Sequence, residues 1–213
     1  MSNAVPTTKA TVIPVVTLFE TYGSGASYIG PRVAQALGLP FHRQAFSSQE
    51  IEEAESRREK EGLLFRVAGA MGSSWGGVDV GDVTAAQRDK YELVMQNNCT
   101  VLDSAREGGV IMGRNGAFIL AGRPATLHVK LDGPLQQRLA RAAKDSGINI
   151  ARAAKRQKRE DRIRADMSID LYGWDPGEND RYDMVLNTGT LSLDTCVEII
   201  VLASKVKSGH RVS

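Results

Sequence analysis

A run of mostly apolar residues at 12–18 leads directly into Thr21-Tyr22-Gly23-Ser24-Gly25-Ala26, and Ile29, Val33, Ala36 and Leu37 then recur at helical spacing. Strand, glycine turn and helix follow one another almost from the first residue. A continuous β-branched run is the signature of a buried parallel strand. Pro14 weakens the first half of that run. Pro31 is expected near the first turn of the helix, where a missing N–H costs little, and Gly38 is expected to stop it. Backbone amides at a helix N-terminus lack partners and bind phosphate oxygens, with help from the helix dipole. Glycines let the main chain come close to the anion. The same turn also fits a plain strand-to-helix connection that needs glycine for its geometry. The strict phosphate-loop string G-x-x-x-x-G-K-S/T is not met. With Gly25 as its second glycine, Glu20 stands at the first, Ala26 replaces the lysine, and Ser27 is the hydroxyl that would meet Mg²⁺.

Further along, residues 49–61 read as a charged, exposed helix. Residues 62–82 carry Gly69, Gly72, Gly76, Gly77, Gly81 and Trp75, and read as a long loop or flap. A long helix is expected at 84–107, with Tyr91, Val94, Leu102 and Ala105 facing inward. A second buried strand at 110–112 ends in Gly113-Arg114-Asn115-Gly116. A third strand at 126–131, helices at 134–144 and 150–166, a polar loop at 172–181, a fourth strand at 184–186 and a helix at 193–206 complete the pattern. Strands alternating with helices predict a parallel sheet in a layered α/β fold. One domain over 11–207 is expected, between a flexible lead at 1–10 and a flexible tail at 208–213.

Composition bounds the function classes. The chain has 213 residues, 42% hydrophobic and 24% charged, ordinary for a soluble globular protein. Two cysteines and three scattered histidines show no metal-ligand spacing, which argues against zinc. Few cysteines and no signal-peptide pattern point to a cytoplasmic setting. No apolar run reaches the length of a membrane span. A net charge of +2 is too small to imply nucleic-acid binding by itself. The placement of the basic residues says more. Arg138, Arg141, Lys144, Arg152, Lys155, Arg156, Lys158, Arg159, Arg162 and Arg164 fall within 27 positions, opposed there by Asp145, Glu160 and Asp161. Such a run fits a solvated helix face. It also fits a lid that closes arginines over a polyphosphate, because phosphoryl transfer is catalysed mainly by positioning and by stabilising dispersed charge. No aromatic residues interleave with the run, which argues against stacking on nucleic-acid bases.

These segments together resemble the cytidylate-kinase-like branch of P-loop nucleoside monophosphate kinases. The resemblance rests on Glu20 through Gly25, on Val110-Ile111-Met112-Gly113-Arg114-Asn115-Gly116, on Glu160-Asp161-Arg162-Ile163-Arg164, on Tyr172-Gly173-Trp174, and on Arg181 through Asn187. It implies a three-layer α/β P-loop NTPase fold, a five-stranded parallel sheet flanked by helices, with an acceptor region at about 47–83 and a helical lid at about 148–170. The implied activity is ATP-dependent phosphorylation of CMP or a related small acceptor, with ATP and Mg²⁺ as cofactors. Gly23, Ser24, Gly25, Ala26 and Ser27 would hold ATP phosphates, and Ser27 the metal. Arg114 would meet the acceptor phosphate. Asp161 and Arg164 match the lid motif D-x-x-R. Arg159 and Arg156, about one and two helical turns earlier, are lid partners by position, Arg159 acting with Arg164 on the transferred group and Arg156 on substrate.

Departures from the family pattern are concrete. Ala26 stands for the phosphate-loop lysine. Asn115 stands where true cytidylate kinases have aspartate. Phe41-His42-Arg43 replaces a stretch that often carries aspartate, and Arg43 is a candidate replacement cation and substrate contact. Two other readings remain: a kinase for a different small acceptor, and a nucleotide sensor or partner-binding module that kept the fold and lost the chemistry. The expected partners are a nucleotide and a small acceptor, without nucleic acid or membrane. The apolar faces of the long helix and of the last helix leave a homodimer open.

Overall fold

The structure, a computed structural model, describes residues 12–43 and 83–209, with the side chains of 83–90 left aside. The lead at 1–10, the charged helix expected at 49–61, the glycine-rich stretch with Trp75 and the tail from 210 lie outside the described residues.

Five strands form one parallel sheet: β1 (Val15–Glu20), β2 (Phe41–His42), β3 (Gly109–Met112), β4 (Thr126–Asp132) and β5 (Met184–Asn187). Their spatial order is β2-β3-β1-β4-β5. The helices are α1 (Ala26–Leu37), α2 (Val83–Glu107), α3 (Gly116–Ile119), α4 (Leu135–Ser146), α5 (Ile150–Tyr172) and α6 (Leu193–Lys207).

Alternation along the strands builds the layers. Val16 and Leu18 of β1, Val110 and Met112 of β3, and Leu127, Val129 and Leu131 of β4 pack with Ile29 and Val33 of α1 and with Cys196 and Ile200 of α6. Val15 and Ile111 point the other way, against Val101 and Ala105 of α2 and against Leu120. Each aliphatic side chain fully buried in this way contributes about 1.5–3 kcal/mol. The result is the three-layer α/β P-loop fold, a parallel sheet flanked by helices, that the resemblance implied. In open sheets of this kind, ligands bind beyond the carboxyl ends of the strands. The Gly23–Gly25 turn lies there, at the end of the central strand.

Several expectations are corrected. β1 starts at Val15, because Pro14 lacks a ladder donor, and it runs on to Glu20. Pro31 sits inside α1, in its second turn, since Gly25 caps the helix. Its missing N–H removes the helical donor for the Ser27 carbonyl. Ala34 is buried on α1 and Ala36 is exposed. On α2 the inward face is Leu93, Asn97, Val101 and Ala105, at steps of four, while Tyr91 and Leu102 are exposed. Of the four residues expected inward, Ala105 is buried, and the helical phase that places it there also points to Leu93. α5 continues past 166 to Tyr172, where Gly173 ends it in the left-handed conformation. β2, two residues long, carries no periodic signal of its own. Among the described residues no helix is long and apolar enough to cross a membrane.

Candidate functional site

The turn after β1 is held from both sides. Gly23 (φ 79°) and Gly25 (φ 91°) adopt left-handed conformations. A Cβ on Gly23 would lie 2.3 Å from the Arg138 carbonyl oxygen, and one on Gly25 2.9 Å from Leu193 Cδ2. Only glycine lets the backbone pass this close to α4 and α6.

The carbonyls of the turn are taken by α4. Arg138 Nη1 donates to the Tyr22 carbonyl at 2.9 Å, and Arg141 Nη1 to the Gly23 carbonyl at 2.9 Å. Arg141 Nη2 also donates to the Thr188 carbonyl at 2.6 Å. Ser24 is fully buried; its Oγ lies 2.7 Å from Thr21 Oγ1, which donates to Asp132 Oδ1 at 2.7 Å. The Ser24 side chain therefore braces the turn from within.

The amides of the turn divide into two sets. The Tyr22 amide donates to Asp161 Oδ1 at 2.7 Å, the Ala26 amide to Glu20 Oε2 at 3.1 Å, and the Ser24 amide to the Thr21 carbonyl at 3.0 Å. Among the described residues, the amides of Gly23, Gly25 and Ser27 make no hydrogen bond. They belong to the wall of a cleft of about 500 Å³, lined also by Arg141, Arg156 and Arg164 and by Glu20, Asp145 and Glu160. Open amides at a helix start and three guanidinium groups suit a phosphate chain.

On α5, Arg164 is only 11% exposed and is held by two carboxylates. Its Nη2 donates to Glu160 Oε2 at 3.1 Å and its Nη1 to Asp161 Oδ1 at 3.4 Å. Glu160 is 1% exposed, and among the described residues its Oε1 has no partner. Asp161 also accepts from Gln157 Nε2 at 2.9 Å and from Arg138 Nη1 at 3.5 Å. α5 is thereby tied to the glycine turn. Burial raises the Glu20 carboxyl above its ordinary value, although the Arg164 charge pulls it down.

A second, smaller cavity of about 60 Å³ lies between the β3 turn, α2 and α5, lined by Leu93, Asn97, Arg114, Asn115, Met167 and Tyr172 among others. Glu20, Met112 and Arg164 line both spaces. Arg114 and Asn115 carry positive φ in the turn after β3. Arg114 Nε donates to the Arg43 carbonyl at 3.3 Å, and burial lowers the guanidinium below its usual pKa. The C-terminal half of α5 is pinned across this cavity. Ser168 Oγ donates to Asn115 Oδ1 at 2.6 Å, and Tyr172 OH accepts from Asn97 Nδ2 at 2.7 Å and donates to Asn98 Oδ1 at 3.1 Å.

The structure thus brings Gly23, Gly25, Ser27, Arg156 and Arg164 to one cleft and Arg114 to the adjoining cavity. Ala26 is buried behind the turn. Asp161 lies against the turn itself rather than on either cavity wall. Arg159 is partly buried on α5 and lines neither space. Arg43 is exposed at the end of β2, and only its carbonyl engages Arg114. Arg141 is a basic side chain that lines the cleft and hydrogen-bonds the turn, and the sequence showed it only as one basic residue in a run. Its signal was a position three residues after Arg138, one helical step along the same face. Glu160 was likewise visible only as a charge opposing that run. Among the described residues no group of three or more His, Cys, Asp or Glu is placed to hold a metal. The oxygen donors of Ser27, Glu20 and Glu160 on the cleft wall nevertheless fit Mg²⁺, which takes one or two carboxylates with water and phosphate oxygens.

The cytidylate kinase-like family model matches residues 15–190. A Corynebacterium glutamicum protein named uronate isomerase is 37% identical over 130 residues, which is 60% of this chain and 25% of that protein. The chain therefore spans a small part of that relative. The cytidylate kinase of Methanopyrus kandleri is 26% identical over 198 residues, 89% of this chain and 92% of that one. Cytidylate kinase of Ignicoccus hospitalis is 25% identical over 187 residues, 87% and 96% of the two chains. The crystal structure of an uncharacterized protein from Eubacterium ventriosum shares the fold, with a TM-score of 0.59 and 16% identity over 90% of this chain and 98% of that one.

Proposed function

Because the chain belongs to the cytidylate kinase-like family, we propose that it transfers the terminal phosphoryl group of ATP to CMP or a related small acceptor. The observation that carries this reading is the glycine turn whose open amides share one cleft with Arg141, Arg156 and Arg164. That cleft meets a second cavity at Glu20 and Arg164.

In this reading the amides of Gly23, Gly25 and Ser27 hold the donor phosphates, and Arg141 and Arg156 neutralise them. Arg114 receives the acceptor phosphate in the smaller cavity. Arg164, on the shared wall, faces the group in transfer. Ser27 would hold Mg²⁺, which shields phosphate charge and fixes its geometry when bound. No general base is required beyond orientation of the acceptor oxygen. The segment at about 148–170 acts as the lid.

The test is direct. Purified protein is given ATP, Mg²⁺ and each common nucleoside monophosphate in turn, and ADP is measured. Turnover with one monophosphate, abolished by Arg164→Ala, is expected. A second reading, a nucleotide sensor without turnover, is favoured by Ala26 in the lysine position and by the carboxylates of Glu20 and Asp161 on two amides of the turn. It predicts ADP or ATP binding, seen as a rise in Tm, with no ADP formed from any monophosphate.

A further inference from the structure

We propose that Glu160 is a ligand for a divalent cation that enters the cleft with the nucleotide, directly or through one of the ion's waters, and that this cation takes over the charge neutralisation Ala26 cannot supply. The inference rests on the nucleotide-binding reading above and extends it to a residue with no role there of its own.

Three observations converge. First, the ionisable lining of the cleft is balanced: Arg141, Arg156 and Arg164 face Glu20, Asp145 and Glu160. With all six ionised their charges cancel, so the described wall offers no net positive charge to a triphosphate. A phosphate-loop lysine would tip that balance, and the chain has Ala26 there. Second, Glu160 lines the cleft, is 1% exposed and spends only one oxygen on Arg164; its Oε1 is buried with no partner among the described residues. A buried carboxylate oxygen without a donor is costly and is relieved by a cation. Third, Ser27 is exposed on the wall of the same cleft. A cation shared between phosphate oxygens, that hydroxyl and Glu160 needs no cluster of three acidic side chains. Magnesium is commonly held in this way.

The experiment measures ADP affinity by calorimetry on the full chain, with Mn²⁺ and with EDTA, in wild type and Glu160→Gln. The amide keeps the shape of the side chain and an acceptor for Arg164. Bound Mn²⁺ is counted independently by loss of its free-ion EPR signal. Wild type is expected to bind ADP at least tenfold more tightly with Mn²⁺. Glu160→Gln should lose most of that gain, binding ADP with Mn²⁺ more weakly than wild type, while its metal-free ADP affinity stays level or rises, since the amide removes one negative charge from the lining. An undiminished Mn²⁺ gain in Glu160→Gln overturns the inference and leaves the kinase reading standing. Wild type that binds ADP under neither condition overturns both. Glu160→Asp, which keeps the charge but withdraws the oxygens by one methylene, gives the same comparison if the amide variant does not fold. It should retain metal-free binding and lose part of the metal gain; a full gain in that variant also overturns the inference.

Discussion

Glu20 holds the position at which a phosphate loop would place its first glycine, and its carboxylate occupies the Ala26 amide. Burial favours its neutral form, so its folded value lies above the unfolded one. Ionised Glu20 therefore costs stability at neutral pH, and that cost vanishes as the pH falls below the ordinary carboxylate range. Glu20→Gln should raise Tm at pH 7.5 by about 1–3 °C and give no gain near pH 4; thermal melts at the two pH values check this. Arg164 sits in a buried pair with Glu160. Arg164→Ala leaves that carboxylate unpaired, with an expected loss of about 3–5 kcal/mol in urea unfolding. In the same variant, turnover with the accepted monophosphate should fall by more than about a hundredfold. Arg164→Lys should recover much of the stability and little of the turnover. Gly25→Ala forces a left-handed φ on a Cβ that meets Leu193. It should cost about 1–3 kcal/mol and remove the Tm rise given by ADP. At this scale the glycines were legible, because few residues tolerate such backbone conformations. Arg141 and the buried Glu160 were not, since a charge run does not say which of its members face inward.

The elements were legible where one pattern dominates. β3 is a short apolar run and β4 alternates apolar with polar residues between two covered faces, and both fell within two residues of expectation. α2 was found but turned about its axis: Asn97, a polar residue, lies on the inward face because it bridges the Arg114 carbonyl and Tyr172. Hydrophobicity alone cannot place such a residue. α5 outran its expected end for a related reason. Ser168 and Tyr172 add little apolar periodicity, yet their hydroxyls anchor the helix to Asn115, Asn97 and Asn98. Tyr172→Phe removes that anchor at about 1 kcal/mol. It should speed amide exchange in the last two turns of α5 while leaving β1 and β4 unchanged, as read by hydrogen-exchange mass spectrometry.

The strand order of the sheet was not legible in the sequence, since alternation of strands and helices predicts a parallel sheet without fixing its sequence of neighbours, and the resemblance implied only that five strands run parallel. β2 marks the limit: Phe41 and His42 pair with Val110 and Ile111 only because β3 presents a free edge to them. The two spaces meeting at Glu20, Met112 and Arg164 are the feature with the widest reach. Donor and acceptor halves would be separated by a party wall a few side chains thick. Two nucleosides strung on one polyphosphate thread could occupy both rooms at once, so the second half would dock without a fresh loss of translational freedom. Such a tethered compound should outbind either half alone by far more than its extra contacts explain. The length of thread that binds best would serve as a ruler for the distance the phosphoryl group travels.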